Sequence, residues 1–177
     1  MTANGHRKIS FLGNFPPRLC GIATFTRDVC HAVAGQRPQW SCPVLSVTDP
    51  GHSYAYPDEV RFELPERDLA SYQRAADFLN LSHADLLCVQ HEFGIYGGAA
   101  GNYLISLLKR LRLPVVTTLH TVLTDPTEEQ RQVMEELIQR SDVLVVMSER
   151  GRGILSEVYK VPAARSEEHT SELQSPC

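Results

Sequence analysis

The chain has 177 residues, enough for one domain with a sizeable core, and its 42% hydrophobic and 21% charged residues are typical of a folded globular protein. The formal net charge of −4 and the lack of a basic cluster argue against broad nucleic-acid binding. The apolar runs are too short to span a bilayer, and the N-terminus lacks an apolar signal core. Five cysteines without a C-x-x-C pair suit free thiols in a reducing cytoplasm.

Strand-like and helix-like patterns alternate along the chain. The predicted strands are residues 8–14, 41–47, 60–64, 84–92, 113–120 and 141–149. The predicted helices are residues 22–35, 68–82, 102–112, 125–141 and 148–159. Such alternation predicts an α/β fold, a Rossmann-like doubly wound and mostly parallel sheet with helices on both faces. In an open sheet of this kind, ligands bind beyond the carboxyl ends of the strands.

Two predicted helices carry more detailed signals. In the first, Ile22, Phe25, Val29 and Val33 recur at helical spacing, and Gly35 is the expected C-terminal stop. In the fourth, we expect Asp125 to be the N-cap, with Glu128 completing a capping box. Ser148 is expected to cap the last helix.

The loop “NFPPRLCG” follows the first predicted strand and separates it from the first helix. Gly21 lies at the predicted helix N-terminus, where free backbone N–H groups and a partial positive charge favour phosphate or carboxylate. Arg18 would add a fixed charge, and the two prolines would limit the freedom of the loop. Neither dinucleotide nor P-loop glycine spacing is present, so a plain structural turn is an equal alternative.

Two more strand ends carry polar or glycine-rich residues. His91 and Glu92 leave the sheet after the fourth strand, and Gly97 and Gly98 could form a second backbone cradle or a simple turn. His120 ends the fifth strand, where a histidine can hydrogen-bond a ligand oxygen or move a proton. No H-E-x-x-H or H-x-H spacing joins these histidines, so we expect no metal and no other cofactor.

The C-terminal stretch “RSEEHTSELQSPC”, residues 165–177, has no apolar periodicity. It resembles the translation of a sequencing-adapter oligonucleotide. We therefore expect residues 165–177 to be an artefactual or disordered tail, and the natural chain to continue beyond residue 164 into a missing domain.

Four stretches resemble the N-terminal half of bacterial members of glycosyltransferase family 4: “FPPRLCGIATFTRDV”, “VQHEFGIYGG”, “PVVTTLHTVL” and “SDVLVVMSERG”. The resemblance covers residues 7–164. It implies one half of the GT-B fold, in which two Rossmann-like domains face each other across a cleft. Residues 1–164 would then be the acceptor-side domain, and the donor-binding domain would be missing.

The resemblance also implies roles for single residues. Gly21 matches a first-loop glycine that lies near the transferred sugar and the donor phosphates, although the family often has a second glycine where Ile22 stands. His120 matches a histidine that contacts the donor sugar and supports an oxocarbenium-like transition state. The loop that shapes the acceptor side is matched by His91, Glu92, Gly97 and Gly98.

The resemblance thus predicts a fragment of a retaining glycosyltransferase, inactive alone, that would use a nucleotide-sugar donor and a glycan, lipid or small-molecule acceptor. We expect no nucleic-acid partner and a cytoplasmic location, with peripheral contact to the inner membrane left open. A non-catalytic ligand-binding module of the same fold and part of a sugar-nucleotide epimerase remain alternatives. A downstream E-x7-E segment would favour the transferase.

Overall fold

The computed structural model describes residues 5–168, and strands and helices alternate there as the sequence predicts. The strands are β1 (Ile9–Gly13), β2 (Val44–Thr48), β3 (Val60–Pro65), β4 (Leu86–His91), β5 (Val115–Leu119), β6 (Val143–Val146) and β7 (Ser166–Glu168). The helices are α1 (Gly21–Gln36), α2 (Leu69–Leu81), α3 (Tyr103–Leu108), α4 (Glu128–Arg140) and α5 (Glu149–Tyr159).

The seven strands form one sheet in the order β3-β2-β1-β4-β5-β6-β7, and each neighbouring pair is parallel. The chain moves outward from β1 to β3, returns to pair β4 with β1, and then moves outward on the other side. The carboxyl ends of all strands therefore lie at one edge, and the switch point lies between β1 and β4. This confirms the predicted Rossmann-like α/β fold.

Each face of the sheet has its own hydrophobic core. The larger core packs α2, α3, α4 and α5 on one face, through Tyr72, Leu104, Met134 and Leu155 among others. The smaller core lies under α1 on the opposite face and is formed by Ile9, Phe11, Phe15, Cys30 and Val44. The pairing of helices with faces follows from the right-handed crossovers that join parallel strands.

Helix α1 forms where predicted, but its fully buried residues are not the four apolar ones at helical spacing. Ala23, Thr26 and Cys30 are the buried residues of α1, whereas Phe25 and Val33 are only half-buried. Within the described residues α1 is the only helix on this face, and its flank borders an open groove of about 690 Å³ over β4, β5 and β6. The apolar spacing identified the helix correctly, and Ile22, Val29 and Val33 pack against the cores while partly exposed.

Helix α3 is shorter than the predicted span of residues 102–112, because its end is captured by a neighbouring helix. It ends at Leu108. Asn80 of α2 then donates from its side-chain amide to the carbonyl of Arg110 at 2.9 Å and accepts from the backbone N–H of Arg112 at 3.0 Å. In a longer helix the N–H of Arg112 would donate to the carbonyl of Leu108, so its bond to Asn80 replaces a helical bond.

The N-cap of α4 is Thr127, whereas the sequence predicted Asp125. The Thr127 hydroxyl accepts from the backbone N–H of Gln130 at 3.3 Å, and the Gln130 side chain accepts from the backbone N–H of Thr127 at 2.9 Å. Both Asp125 and Thr127 are good capping residues followed three positions later by Glu or Gln, so sequence spacing alone did not separate them. The predicted Ser148 cap of α5 is confirmed by a 3.1 Å bond from the N–H of Gly151.

Residues 165–177 were expected to lack structure, but the first four of them pack on the domain. Ser166–Glu168 form β7 beside β6, and the Arg165 guanidinium donates to the carbonyls of Ile138 and Ser141, both at 2.6 Å. The exposed edge of β6 offers backbone partners to any extended segment, whatever its side chains. Residues 169–177 lie outside the described residues, and the origin of this segment stays a prediction.

Replacing the cap of α4 tests the corrected boundary. Thr127→Ala should lower the free energy of unfolding by about 0.5–2 kcal/mol, because it removes the capping hydroxyl. Asp125→Ala is the matched control and should change it by less than about 0.5 kcal/mol, because Asp125 is exposed and lies outside the capping box. Urea unfolding of the three chains measures both values, and a larger loss in Asp125→Ala would move the cap back to that residue.

Candidate functional site

The first loop is anchored at both of its ends. Phe15 is buried in the smaller core, and the buried Asn14 donates from its side-chain amide to the carbonyl of Val47 at 2.9 Å. At the other end, the Cys20 thiol caps α1 by accepting from the N–H of Ala23 at 3.3 Å. Leu19, between these anchors, is fully exposed. The loop is therefore held in place while its tip faces solvent.

Gly21 is the first residue of α1, as predicted, and it is exposed with open space beside its α-carbon. Arg18 has a partner within the chain, which the sequence did not reveal. Its guanidinium lies 3.4 Å from a carboxylate oxygen of Asp49, which follows β2. The charge of Arg18 is thus balanced inside the protein, and the ion pair joins the first loop to the β2–β3 loop.

His120 lies just beyond the end of β5, half-buried between two side chains of other elements. Its Nε2 lies 2.9 Å from the side-chain oxygen of Gln90 on β4. Its ring also makes an edge-to-face contact with Phe25 of α1, with 4.9 Å between the ring centroids. Burial lowers the pKa of His120, whereas the Glu92 carboxylate acts in the opposite direction. With its pKa below 6.5, the imidazole is mainly neutral at pH 7.

His91 is adjacent in space but fully buried on the other face of the sheet. Its ring stacks on Tyr96 and contacts the edge of Phe93, and among the described residues neither ring nitrogen has a hydrogen-bond partner. Burial lowers the pKa of His91 to about 3, and the neighbouring His120 acts in the same direction. His91 can therefore shape the site, but it lies too deep to present its ring at the surface.

Glu92 connects the loops that follow β4 and β5. One carboxylate oxygen accepts from the backbone N–H of Phe93 at 2.9 Å, and the other accepts from the Thr121 hydroxyl at 2.5 Å. Since Thr121 directly follows His120, this bond helps to fix the backbone that carries the histidine. The structure thus brings His120, Glu92 and the backbone of His91 together.

Gly97 and Gly98 are packed against protein atoms rather than arranged around an empty cradle. A side-chain carbon at Gly97 would overlap with the carbonyl oxygen of Glu66 and lie 2.8 Å from the ring of Tyr103. Gly98 has φ +82°, which favours glycine, and a side-chain carbon there would lie 2.6 Å from the same ring. The geometry favours a packing role for both glycines.

A cavity of about 330 Å³ opens directly beside His120 at the ends of β5 and β6. Its polar lining residues are His120, Thr121, Thr124, Ser148 and Arg150. Sequence reasoning missed Thr121, Thr124 and Arg150, because nothing in their local pattern distinguishes them from ordinary loop residues. It also missed Gln90, although a polar residue within an apolar strand was a visible signal.

Two further properties concern metals and membranes. Within residues 5–168, no three side chains of His, Cys, Asp or Glu are grouped as metal ligands. Over the same span, every helix is too short or too polar to cross a bilayer.

The fold and the site define a class of protein. The Rossmann-like sheet has a histidine, a polar cavity and an exposed helix N-terminus at its carboxyl edge, which is where open α/β sheets bind their ligands. A family model described as Glycosyltransferase Family 4 matches residues 21–167. The chain therefore belongs to glycosyltransferase family 4.

Two solved structures share this fold. An alpha-glucosyltransferase in complex with UDP and a 13-mer DNA containing an HMU base matches with a TM-score of 0.62 and 18% identity, over 93% of this chain and 42% of that one. An alpha-glucosyltransferase in complex with UDP and a 13-mer DNA containing a central A:G mismatch matches with a TM-score of 0.58 and 16% identity, over 81% of this chain and 38% of that one. This chain thus spans about two fifths of their length. A comparison with curated proteins finds no match.

The packing of Gly97 can be tested within its own loop. Gly97→Ala should lower the free energy of unfolding by about 1–3 kcal/mol, because backbone atoms of Glu66 would have to move. Gly94→Ala is the matched control, since Gly94 is exposed and has no atom within 4 Å of the added carbon. Thermal and urea unfolding compare the two, and equal stabilities would show that the loop is loosely packed and open to a ligand.

The burial of His91 predicts a specific dependence of stability on pH. The ordinary pKa of 6.5 falls to about 3 in the folded chain, so below pH 6.5 the unfolded chain binds a proton that the folded chain does not. The part of the free energy of unfolding that depends on neutral His91 is therefore fully present above pH 6.5 and is lost as the pH falls towards 3. His91 should account for a loss of about 2 kcal/mol between pH 7 and pH 5.

Unfolding at both pH values compares the wild type with His91→Phe, in which that loss should disappear. His83→Asn removes an exposed histidine and should keep it. An undiminished loss in His91→Phe would contradict the predicted role of His91.

Proposed function

We propose that this chain is the acceptor-side domain of a retaining glycosyltransferase that uses a nucleotide-sugar donor. Membership in glycosyltransferase family 4 supports this proposal. The observation that carries it is the neutral, half-buried His120 beside an open cavity at the carboxyl edge. Because the chain spans only 42% of a similar glucosyltransferase, we assign the donor nucleotide to a second domain across the cleft.

The proposed reaction breaks the bond between the anomeric carbon of the sugar and the donor diphosphate. A bond forms to an acceptor oxygen on the same face of the sugar, and the acceptor proton leaves with the diphosphate. The sugar carries partial positive charge in the transition state, which an imidazolium would oppose. A neutral His120 avoids that repulsion and offers a lone pair, so its low pKa suits the chemistry.

The other residues have supporting roles in this proposal. Gly21 leaves the N-terminus of α1 open to the donor phosphates, and Arg18 holds the first loop through Asp49. Glu92 positions the backbone after β5 through Thr121, and His91 fills the space behind it. The acceptor, a glycan or a lipid, occupies the cavity beside His120. The nucleotide-sugar is a co-substrate, and the proposal includes no metal and no nucleic acid.

Replacing His120 tests the proposal in a protein that joins this domain to the proposed nucleotide-binding domain. His120→Ala should lower kcat by about 10²–10³, the typical cost of losing one polar contact to a transition state. Nucleotide affinity, measured by calorimetry, should change little because the nucleotide lies mainly on the other domain. His83→Asn, an exposed histidine away from the cavity, is the control and should keep wild-type kcat.

The outcomes separate the alternatives. Near-normal kcat per folded His120→Ala molecule would remove His120 from the site. A wild-type protein that binds nucleotide-sugar without any transfer would support a non-catalytic binding module. We expect the 177-residue chain alone to show no multiple turnovers, because the proposal places the donor nucleotide on a second domain.

A further inference from the structure

Gln90 is the penultimate residue of β4, and its buried polar side chain is enclosed by neighbouring residues. Its side chain is 1% exposed and lies on the face of the sheet that α1 covers. A side-chain carbon at Gly13 of β1 would lie 3.0 Å from the Cβ of Gln90 and 3.0 Å from the hydroxyl of Thr26. Because Gly13 has no side chain, Gln90 has room beside it, and Thr26 of α1 bounds that space on the opposite side.

The contact between Gln90 and His120 has a defined direction. The side-chain oxygen of Gln90 can only accept a hydrogen bond, and it lies 2.9 Å from Nε2 of His120. With the Gln90 amide in this orientation, Nε2 carries the proton. Since a neutral imidazole has one N–H, Nδ1 then carries the lone pair. Phe25 meets the histidine ring at 90°, which limits rotation of the ring away from Gln90.

We propose that Gln90 is a positioning residue that fixes His120 in the Nε2–H tautomer. The lone pair then lies on Nδ1, the ring nitrogen that does not contact Gln90. Tautomer control matters only for a neutral ring, and burial keeps His120 in that form. The two titratable neighbours are Glu92, which favours the charged ring, and the buried neutral His91. The role of this tautomer in sugar transfer rests on the proposed function, whereas the tautomer itself does not.

Nitrogen NMR of the 177-residue chain with ¹⁵N-labelled histidine tests the tautomer directly. His120→Phe identifies the His120 signals. In the wild type, Nε2 should show the shift of a protonated nitrogen and Nδ1 that of a lone-pair nitrogen. In Gln90→Met, which keeps the length of the side chain, the ratio of the two tautomers should fall about fivefold, because a neutral hydrogen bond contributes about 1 kcal/mol.

Gln73→Met is the matched control, because Gln73 is an exposed residue of α2. Its His120 signals should match those of the wild type. Unchanged tautomer shifts in folded Gln90→Met would show that the contact only fills space, and would overturn the proposal.

Gln90→Glu provides a second test that does not depend on tolerance of an apolar residue at this position. A carboxylate beside Nε2 should raise the pKa of His120 by about one unit or more, since it stabilises the charged ring. An unchanged His120 pKa in folded Gln90→Glu would contradict direct contact.

In the protein that joins the two domains, Gln90→Met should lower kcat about tenfold with little change in the donor KM, and Gln73→Met should change neither. If the wild type transfers no sugar, the proposed function fails while the NMR result still decides the tautomer. If the tautomer shifts but kcat does not, Gln90 orders the ring without serving the reaction.

Discussion

The pairing of β4 between β1 and β5 is the constraint on which the rest of the structure depends. Parallel strands must start at the same side of the sheet, so their carboxyl ends and the loops that follow meet at one edge. β4 is also where the order of strands changes direction. Gln90 therefore lies beside Gly13 of β1 and faces His120 after β5, although the three are far apart in sequence.

Burial has opposite consequences for the two histidines at this edge. His91 has no hydrogen-bond partner among the described residues, and its low pKa makes it a cost to folding in acid. His120 is only half-buried and has Gln90 as a partner, so the same loss of solvent yields a neutral and oriented ring. Adjacent residues of a strand project to opposite faces of the sheet, so Gln90 projects towards His120 while His91 projects into the opposite core.

The sequence predicted most of the fold and part of the site. Apolar runs and helical spacing identify strands and helices because they record which residues meet the core, and chain alternation then limits the topology. Spacing could not show which side of α1 is fully buried, since that depends on what else covers the sheet. The Arg18–Asp49 and Gln90–His120 contacts join distant segments, and no local pattern encodes either of them. Gly97 and Gly98 suggested a cradle because sequence cannot tell space left for a ligand from space filled by Tyr103.

Leu19 is a fully exposed residue of the first loop and contributes little to its stability. The neighbouring anchors are Phe15 and the Cys20 cap, and Leu19 contributes to neither because it is fully exposed. Substitutions at such a position change the free energy of unfolding by only about 0.5 kcal/mol. A substitution at Leu19 can therefore change the group that this loop presents beside the N-terminus of α1 without loss of the folded domain.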